Sequence, residues 1–550
     1  MAKRPRIRTG FTLGGEQAEA DPLAEEAFVE TPLYEVVADQ RDMRCFVIGR
    51  TGAGKSATLQ HLEEVNSEHV IRISPEDLSL PYITDLDVIR YLDSLDVKLD
   101  LFWIALWKHV LLVELLKHRY GVNSPDAKQR FMSTLREKFV REPAKAAALE
   151  YLEEFEGRFW CDTDERVRQI TDKFTERIGE SAFVKAGAGP LSANVGGRAD
   201  KEGSVETRRE LADRFQRIVN ETQLAKLNKM FSILDDEILD DVHFTYVLVD
   251  DLDRDWVDER VANDLIRCLF RTVLDMQRVR NLKVLVALRT NIFQELDFGD
   301  RTGGQEEKFR ALVLQVEWSR ASLIELLDAR VAISGHRGGL EVDTVSSLLP
   351  HANRARGNPV DYVLDRTLLR PRDAIAFLNE CLLKGVGKSR LTWEDIQGAE
   401  REYSSKRLLA LRDEWKPTYP GIDRVFEKFR GAPARMTKRE FQDRLDECML
   451  LLSDPGFPGV RWMSAMTATM WESGPDASWF SMYQPLASTL YRLGVIGCAQ
   501  RPSAAPTFYG QDRLLMDSEA ALLRTEHFHV HRMLHKALDI RLAAEGHPLT

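Results

Sequence analysis

Residues 49–56 read GRTGAGKS and match the pattern GxxxxGK[ST] at every fixed position. An apolar stretch at 44–48 precedes them and a helical pattern at 56–64 follows, so the sequence predicts a strand, a tight loop and a helix in succession. Glycines allow backbone N–H groups to converge on phosphate oxygens, and the positive end of the following helix faces the same anion. The segment therefore predicts a phosphate-binding loop on an α/β fold.

The side chains of this loop predict binding of a nucleoside triphosphate and Mg²⁺. Lys55 is expected to reach the β- and γ-phosphates, and the Ser56 hydroxyl is expected to bind the metal ion. ATP is favoured over GTP because the sequence has no NKxD base-reading motif; NKMF at 228–231 lacks the aspartate. The alternative is a chance match in a loop that binds nothing. The predicted nucleotide-binding residues are Gly49, Thr51, Gly52, Ala53, Gly54, Lys55, Ser56 and Ala57.

An apolar strand followed by acidic residues is predicted at 244–253. Asp250 is expected to bind the Mg²⁺ shell, and Asp251 is expected to polarise the attacking water. Many ATPases place glutamate at the second position, and the shorter aspartate must lie closer to the water, so slow hydrolysis or switch-like behaviour is consistent with the sequence. Alternatively, Asp250, Asp251 and Asp253 form a solvated turn after a strand.

Two arginines are candidates for contacting the γ-phosphate. Arg289 follows the apolar strand 284–288 and would lie beside the phosphate in a parallel sheet. Arg310 precedes the apolar run 312–318, where ring-forming ATPases place an arginine that reaches the nucleotide of the neighbouring subunit. Alternatively, Arg289 caps its strand and Arg310 is an ordinary surface charge.

A helix beginning at a proline is predicted within LRPRDAIAFL, residues 369–378. Pro371 suits the first helical turn, so that Arg370 or Arg372 would point back towards the nucleotide from a helical lid. Alternatively, this is a helix start with ordinary solvated charges. The predicted catalytic residues are thus Asp251, Arg289, Arg310 and Arg372.

The other apolar runs extend the α/β prediction. Segments 69–74, 244–249, 282–288 and 312–318 alternate with helical periodicity, which predicts a parallel sheet covered on both faces. A chain of 550 residues is expected to form several domains. We predict a flexible basic arm at 1–20 and a P-loop NTPase core at 21–84 with 240–332. A helical insert is predicted at 85–239, a helical lid at 333–430 and a C-terminal winged-helix-like domain at 431–550.

The C-terminal part predicts a winged helix, with a helix at 479–493 and a wing at 494–510. Acidic and basic residues nearly balance over 431–550, which is unfavourable for duplex binding, so protein contacts are favoured there. The basic arm at 1–20 is the better candidate for binding nucleic acid. The simpler interpretation of this arm is a charged, disordered terminus that binds nothing. Four histidines at 527–535 suggest metal ligands, but a half-buried strand-to-helix junction is the favoured interpretation.

Composition adds a few limits. The net charge is −11, so any surface that binds nucleic acid must be local. Six cysteines without a CxxC pair predict reduced thiols and a cytoplasmic protein. The basic N-terminus lacks a following apolar region, so no signal peptide is expected. The most apolar run, at 101–116, is too short to span a bilayer and carries charges, so we predict a buried helix and no membrane span.

Several segments resemble known P-loop families. VLVDDLDR at 247–254 resembles the KAP and STAND-related P-loop NTPases, and ALRTN at 287–291 resembles the arginine sensor of STAND proteins. Residues 314–331 and the RPRD helix are similar to the last strand and lid of origin-recognition-type AAA+ proteins. FHVHRMLHKALDI at 528–540 resembles the C-terminus of bacterial P-loop ATPases. KAP proteins often carry membrane helices between the two nucleotide-binding motifs, whereas a soluble helical insert is predicted here.

This resemblance implies a nucleotide-controlled homo-oligomer in bacterial stress or antiviral defence. One hypothesis is a Mg²⁺-dependent ATPase whose hydrolysis drives or resets the oligomer. The other is a nucleotide-locked sensor or scaffold that recruits an effector protein and hardly turns over. Both hypotheses use the same loop, and Asp251 together with the arginines discriminates between them.

Overall fold

The computed structural model describes residues 6–74, 99–120, 225–252, 259–296, 309–472 and 480–542. The chain forms two compact units. The sheet unit comprises 32–49 and 58–315, and the helical unit comprises 1–31, 50–57 and 316–550. Most of the predicted helical insert, including all of 121–224, lies outside the described residues.

A five-stranded parallel sheet organises the sheet unit. Its strands are β1 (Phe46–Gly49), β2 (Val70–Ile73), β3 (Thr245–Val249), β4 (Leu282–Arg289) and β5 (Val313–Gln315), in the spatial order β2-β3-β4-β1-β5. β1 and β3 are buried along their whole length, as expected for parallel strands covered on both faces. The predicted α/β fold with a parallel sheet is confirmed. The strand expected at 312–318 is shorter than predicted.

The carboxyl ends of β1, β3 and β4 meet at one edge of this sheet, because all three strands run in the same direction. Gly49 pairs with Arg289 across β1 and β4. Val249 pairs with Val286 across β3 and β4. The strand that leads into the glycine-rich loop and the strand that leads into Asp250 therefore end at the same edge, with β4 between them.

The helices of the sheet unit are α1 (Pro32–Ala38), α2 (Lys55–Val65, beginning in the loop), α3 (Asp100–Tyr120), α4 (Ala225–Ile233), α5 (Glu259–Met276) and α6 (Thr290–Glu295), with a π-helical turn at Leu234–Ile238. α3 contains the apolar run at 101–116, and both Trp103 and Trp107 are buried. The Trp107 ring Nε1–H donates to the Leu265 carbonyl of α5 at 3.0 Å. The buried helix is confirmed, and none of the described helices is long and apolar enough to cross a membrane.

The helical unit contains α7 (Arg320–Gly338), α8 (Val345–Leu348), α9 (Pro359–Leu364), α10 (Pro371–Lys384), α11 (Trp393–Trp415), α12 (Ile422–Glu427), α13 (Lys438–Met449), α14 (Val460–Glu472), α15 (Gln484–Leu493) and α16 (Glu519–Arg524). Residues 333–430, where the sequence predicts a helical lid, contain the end of α7 and the helices α8 to α12. Pro371 occupies the first turn of α10 as expected, and Thr392 forms a capping box with Asp395 at the start of α11. One continuous hydrophobic core crosses residue 430, where the sequence predicts a domain boundary.

The N-terminal segment is packed against the helical unit from residue 6 onwards. Ile7 and Leu13 are buried. The Ile7 N–H donates to the Lys388 carbonyl at 2.8 Å, and the Leu13 N–H donates to the Asn379 Oδ1 at 2.9 Å. The predicted flexible arm is therefore wrong for residues 6–20, because scattered apolar side chains anchor this basic segment.

A small antiparallel sheet lies in the C-terminal part, where the sequence predicts a winged-helix-like domain. Its strands are β6 (Arg435–Thr437), β7 (Ile496–Ala499) and β8 (His527–Val530), in the order β6-β8-β7. α13, α14 and α15 lie between β6 and β7 in the chain. Cys498 and Thr507 form an isolated antiparallel bridge, as a wing would, but the connection to β8 continues through α16 and is longer than predicted.

The C-terminal histidines lie at the junction that the sequence favoured. β8 ends at Val530 and a 3-10 turn follows at Arg532–Leu534. His531 is buried and accepts a hydrogen bond from the Met533 N–H at 3.1 Å. Burial lowers the pKa of His531 to about 3, so its ring is neutral at physiological pH. These contacts give the buried His531 a structural role.

Candidate functional site

The glycine-rich loop, residues 50–57, belongs to the helical unit and adopts a conformation that requires glycine. Gly52 has φ +77° and Gly54 has φ +98°, a region that side chains strongly disfavour. The Ala53 N–H donates to the Arg50 carbonyl at 3.1 Å, which closes the turn. The Lys55 Nζ donates to the same carbonyl at 3.4 Å. The loop therefore forms a tight turn, and the Lys55 ammonium lies over the Arg50 carbonyl of that turn.

Arg372 lies directly against the loop. Its backbone N–H donates to the Gly52 carbonyl at 3.4 Å, and a Cβ added at Gly52 would lie 2.7 Å from the Arg372 Cβ. Its Nε donates to the Glu16 carbonyl at 2.8 Å. Burial, followed by the nearby charge of Arg370, lowers the pKa of Arg372. Close packing with Arg372 thus gives a second reason for glycine at position 52.

Arg370 is buried and fastens the loop backbone. Its Nη1 donates to the Thr51 carbonyl at 2.9 Å and to the Glu414 carboxylate at 3.0 Å. Its Nε donates to the Asp373 carboxylate at 2.9 Å. These contacts exclude an ordinary solvated charge at this position. Of the two arginines that the sequence pairs at the start of α10, Arg370 holds the loop through its guanidinium and Arg372 packs on it.

Two further side chains hold the loop, and sequence reasoning missed both. Glu414, at the end of α11, accepts from the Nε and Nη2 of Arg50 at 3.2 Å each and from the Thr51 N–H at 3.4 Å. The Trp318 Nε1–H donates to the Ala53 carbonyl at 2.7 Å. Glu414 stands 364 residues from Arg50, so no local pattern marks this contact. The tryptophan at 318 follows β5 and offers the weak signal of a conspicuous aromatic near the expected site.

At the sheet edge, Asp250 is buried directly after β3, with 5% of its surface exposed. One carboxylate oxygen accepts from the Arg72 Nη2 at 3.2 Å, and the other accepts from the Asp251 N–H at 2.9 Å. Arg72 lies on β2, the neighbouring strand, so the pair joins two strand ends. A carboxylate oxygen has more than one lone pair, so these bonds leave each oxygen able to bind a metal ion.

Asp251 has φ +59°, which is uncommon for any residue except glycine. A residue held in this left-handed region costs about 1–3 kcal/mol and persists only where the surroundings fix it. Asp253, the next acidic residue, lies outside the described residues.

The two remaining predicted arginines differ in their surroundings. Arg289 is the last residue of β4 and precedes α6, so it lies at the sheet edge that β1 and β3 share. Arg310 is exposed, three residues before β5, as a residue that reaches another subunit would be. Exposure alone does not distinguish it from an ordinary surface arginine.

The Asp250 carboxylate has the donor chemistry of a Mg²⁺ ligand. This ion is held by hard oxygen ligands, commonly one or two carboxylates together with substrate phosphates. Asp250, in the sheet unit, offers a carboxylate of this kind. No cluster of three or more histidine, cysteine or acidic side chains able to hold a metal was found among the described residues. A metal bound through phosphates and a single carboxylate does not require such a cluster.

Comparisons with known proteins give one partial family match and distant relatives. Residues 321–412 match the family described as the FunZ-associated C-terminal helical domain. The match spans α7 to most of α11, including Arg370 and Arg372, and covers less than half of the chain. The similarity concerns this segment alone.

Two proteins show distant sequence similarity. The "putative transposon gamma-delta 80.3 kDa protein" of Escherichia coli (strain K12) is 21% identical over 473 residues, which cover 81% of this chain and 58% of that protein. This chain thus spans little more than half of that relative. "Allergen Alt a 2" of Alternaria alternata is 25% identical over 175 residues, 31% of this chain and 90% of that protein.

One solved structure, the Aeropyrum pernix ORC1 protein in complex with DNA, aligns at 13% identity and a TM-score of 0.27, over 91% of this chain and 90% of that one. A TM-score this low does not establish a shared fold.

Proposed function

We propose that the protein is a Mg²⁺-dependent P-loop ATPase. The observation that carries the proposal is the GRTGAGKS loop, whose positive-φ glycines follow a buried parallel strand in the chain. The strand order supports it, because β4 separates the loop-bearing strand from the strand that leads into Asp250. Measuring ATP hydrolysis with and without Mg²⁺ tests the proposal directly.

Each proposed site residue has a defined chemical task. Lys55 places its charge on the β- and γ-phosphates, and the Ser56 hydroxyl and the Asp250 carboxylate bind the metal ion. Mg²⁺, when bound, neutralises negative charge on the phosphate oxygens. Asp251 orients the attacking water and accepts its proton, which yields ADP and inorganic phosphate. Arg289, Arg310 and Arg372 are proposed to stabilise the charge that develops on the γ-phosphoryl group.

Asp251→Asn should bind Mg²⁺–ATP with unchanged affinity yet hydrolyse it at least about tenfold more slowly, about 1.4 kcal/mol in the barrier. The amide keeps the shape of the carboxylate but loses the charge that orients and deprotonates water. Steady-state phosphate release and nucleotide titration measure the two effects separately. Asp241→Asn, an exposed acid of the same unit, is the matched control. Unchanged turnover in Asp251→Asn would exclude Asp251 as the base.

We also propose that the nucleotide cycle controls assembly of a homo-oligomer, with Arg310 acting on the neighbouring subunit. Specific activity should then rise with protein concentration and saturate as the oligomer fills, because each pocket needs a neighbour. Light scattering with and without an ATP analogue measures the assembly. Arg310→Ala should lower hydrolysis while leaving nucleotide binding in its own subunit intact.

Mixing two variants tests whether Arg310 acts between subunits. Arg310→Ala has a working pocket without the arginine, and Lys55→Ala has the arginine without a working pocket. Mixed oligomers should therefore regain part of the activity. If activity per subunit does not depend on concentration and the mixture stays inactive, Arg310 does not act between subunits.

The second candidate function is a slow nucleotide-locked sensor or scaffold that recruits an effector protein. The short Asp251 side chain favours it, and so does the ion pair that engages Asp250 with Arg72. The resemblance to KAP and STAND-related NTPases suggests bacterial stress or antiviral defence, in the cytoplasm, as the setting for either function. Tight ATP binding with less than one turnover during assembly would support the scaffold over the ATPase.

A further inference from the structure

A cluster of charges, four of them buried, joins the phosphate loop to the rest of the helical unit. We call it the charge cluster; its members are Arg50, Glu414, Arg370, Asp373, Arg407 and Glu16. Arg50 is the member on the loop and Arg370 immediately precedes α10, while the others lie on α10, on α11 and on the N-terminal segment. The cluster is therefore a direct physical connection between the loop and two helices.

Glu414 is the member that meets the loop most extensively. It accepts both Arg50 bonds, a bond from the Thr51 N–H and one from Arg370. Arg370 in turn donates to the Thr51 carbonyl. Both backbone polar groups of Thr51 are thereby fixed by this carboxylate and its partner. Glu414 on α11 thus helps to fix the backbone conformation of Thr51, the loop residue before Gly52.

The charges of the cluster depend on one another. Burial alone would raise the pKa of the Glu414 carboxyl, but the guanidinium groups of Arg50 and Arg370 outweigh burial and hold it at about 2. Glu414 is therefore ionised at every physiological pH. Removing this one negative charge leaves two arginines without their shared partner. In a buried site, the loss of one member of an ion pair is strongly destabilising.

We propose that Glu414 is a positioning residue that sets the ATP affinity of the loop. It touches no phosphate itself and acts through Arg50 and Thr51, and this inference rests on the proposed function. Because coupling between two sites is reciprocal, ATP binding should also stabilise the carboxyl end of α11. The nucleotide state of the loop is then transmitted to the helices that carry the C-terminal part of the protein.

The central test is Glu414→Gln, which keeps the size and the hydrogen-bonding oxygen but removes the charge. If the binding-competent loop falls to a tenth of the population, the Kd for ATP rises about tenfold. Glu400→Gln is the matched control, because Glu400 is also a buried acid on α11 and pairs with Arg366 at 2.8 Å, away from the loop. Glu400→Gln should lower stability while the Kd stays unchanged.

A double-mutant cycle with Arg50→Gln shows whether Glu414 acts through the loop. The two substitutions should weaken ATP binding non-additively, since they remove the same contact. Hydrogen exchange supplies the reciprocal readout: ATP should slow exchange at 407–415 in the wild-type chain and not in Glu414→Gln. If Glu414→Gln fails to fold, Arg50→Gln alone carries the test, because its side chain is less buried than that of Glu414.

The outcomes separate this inference from the proposed function. A wild-type chain that binds ATP no better than Lys55→Ala overturns the proposed function and this inference with it. A wild-type chain that binds ATP, with an affinity that neither Glu414→Gln nor Arg50→Gln changes, overturns this inference alone. Additive effects in the double-mutant cycle likewise contradict action through Arg50.

Discussion

Lys55→Ala should abolish ATP binding while the protein remains folded. A lysine charge on the β- and γ-phosphates is replaced by a methyl group, and we expect at least about a hundredfold loss of affinity, about 2.8 kcal/mol. The fold should survive because the loop is held by Glu414, Arg370 and Trp318, whose contacts run to its backbone and to Arg50. Fluorescent-nucleotide titration beside a thermal melting curve measures both quantities.

The control for this experiment is Lys384→Ala, which removes an exposed lysine at the end of α10. It should leave both the affinity and the melting temperature unchanged. Unchanged affinity in folded Lys55→Ala would contradict the phosphate-site proposal. A melting temperature that falls with Lys55→Ala alone would show that the lysine supports the loop itself.

The sheet could be predicted because its signals are local. The loop motif, the apolar strand before Asp250 and the strand ending at Arg289 each lie within a dozen residues of sequence, and periodicity with a fixed motif suffices to recognise them. The structure adds the register, which pairs Gly49 with Arg289 across the parallel strands β1 and β4. Strand length was less accurate: β5 is shorter than the apolar run that predicts it.

The supports of the loop could not be predicted because they are contacts between distant parts of the chain. Glu414 looks like one more charge near the end of a polar helix, and only the folded chain brings it to Arg50. The left-handed backbone conformation of Asp251 could not be predicted either, because the residue type alone does not indicate a positive φ. What holds a functional residue in place is thus set by tertiary structure, even where the functional residue itself belongs to a motif.

The N-terminal segment shows how composition can mislead. Arginines at positions 6 and 8 suggest a mobile basic arm, yet Ile7, between them, is buried. A single apolar residue among charges gives too weak a periodicity to predict packing. Measuring the free energy of unfolding of suitable variants can show whether this segment is a flexible arm or an integral part of the fold.

Asp21→Ala should destabilise the helical unit by about 3–5 kcal/mol, because it leaves a buried arginine without its charge partner. The Asp21 carboxylate lies 2.7 Å from the Arg330 Nη1 of α7, with 2% and 7% of the two side chains exposed. It also accepts hydrogen bonds from the Gly15 and Leu23 N–H groups, and Arg330 donates to the Leu13 carbonyl at 2.8 Å. Denaturant unfolding measures the loss.

Glu26→Ala is the matched control, since Glu26 belongs to the same N-terminal segment and pairs with Arg337 of the same helix, but the pair is exposed, at 54% and 49% of the two side chains. An exposed ion pair contributes up to about 1 kcal/mol, so this variant should unfold almost as the wild type does. A flexible arm predicts that neither substitution matters, whereas the packed segment predicts a large effect at Asp21 alone. Equal, small changes in the free energy of unfolding for both variants would show that residues 6–31 behave as a flexible tail. A large effect confined to Asp21 would mean that the N-terminal segment is required to hold α7 through the buried pair with Arg330.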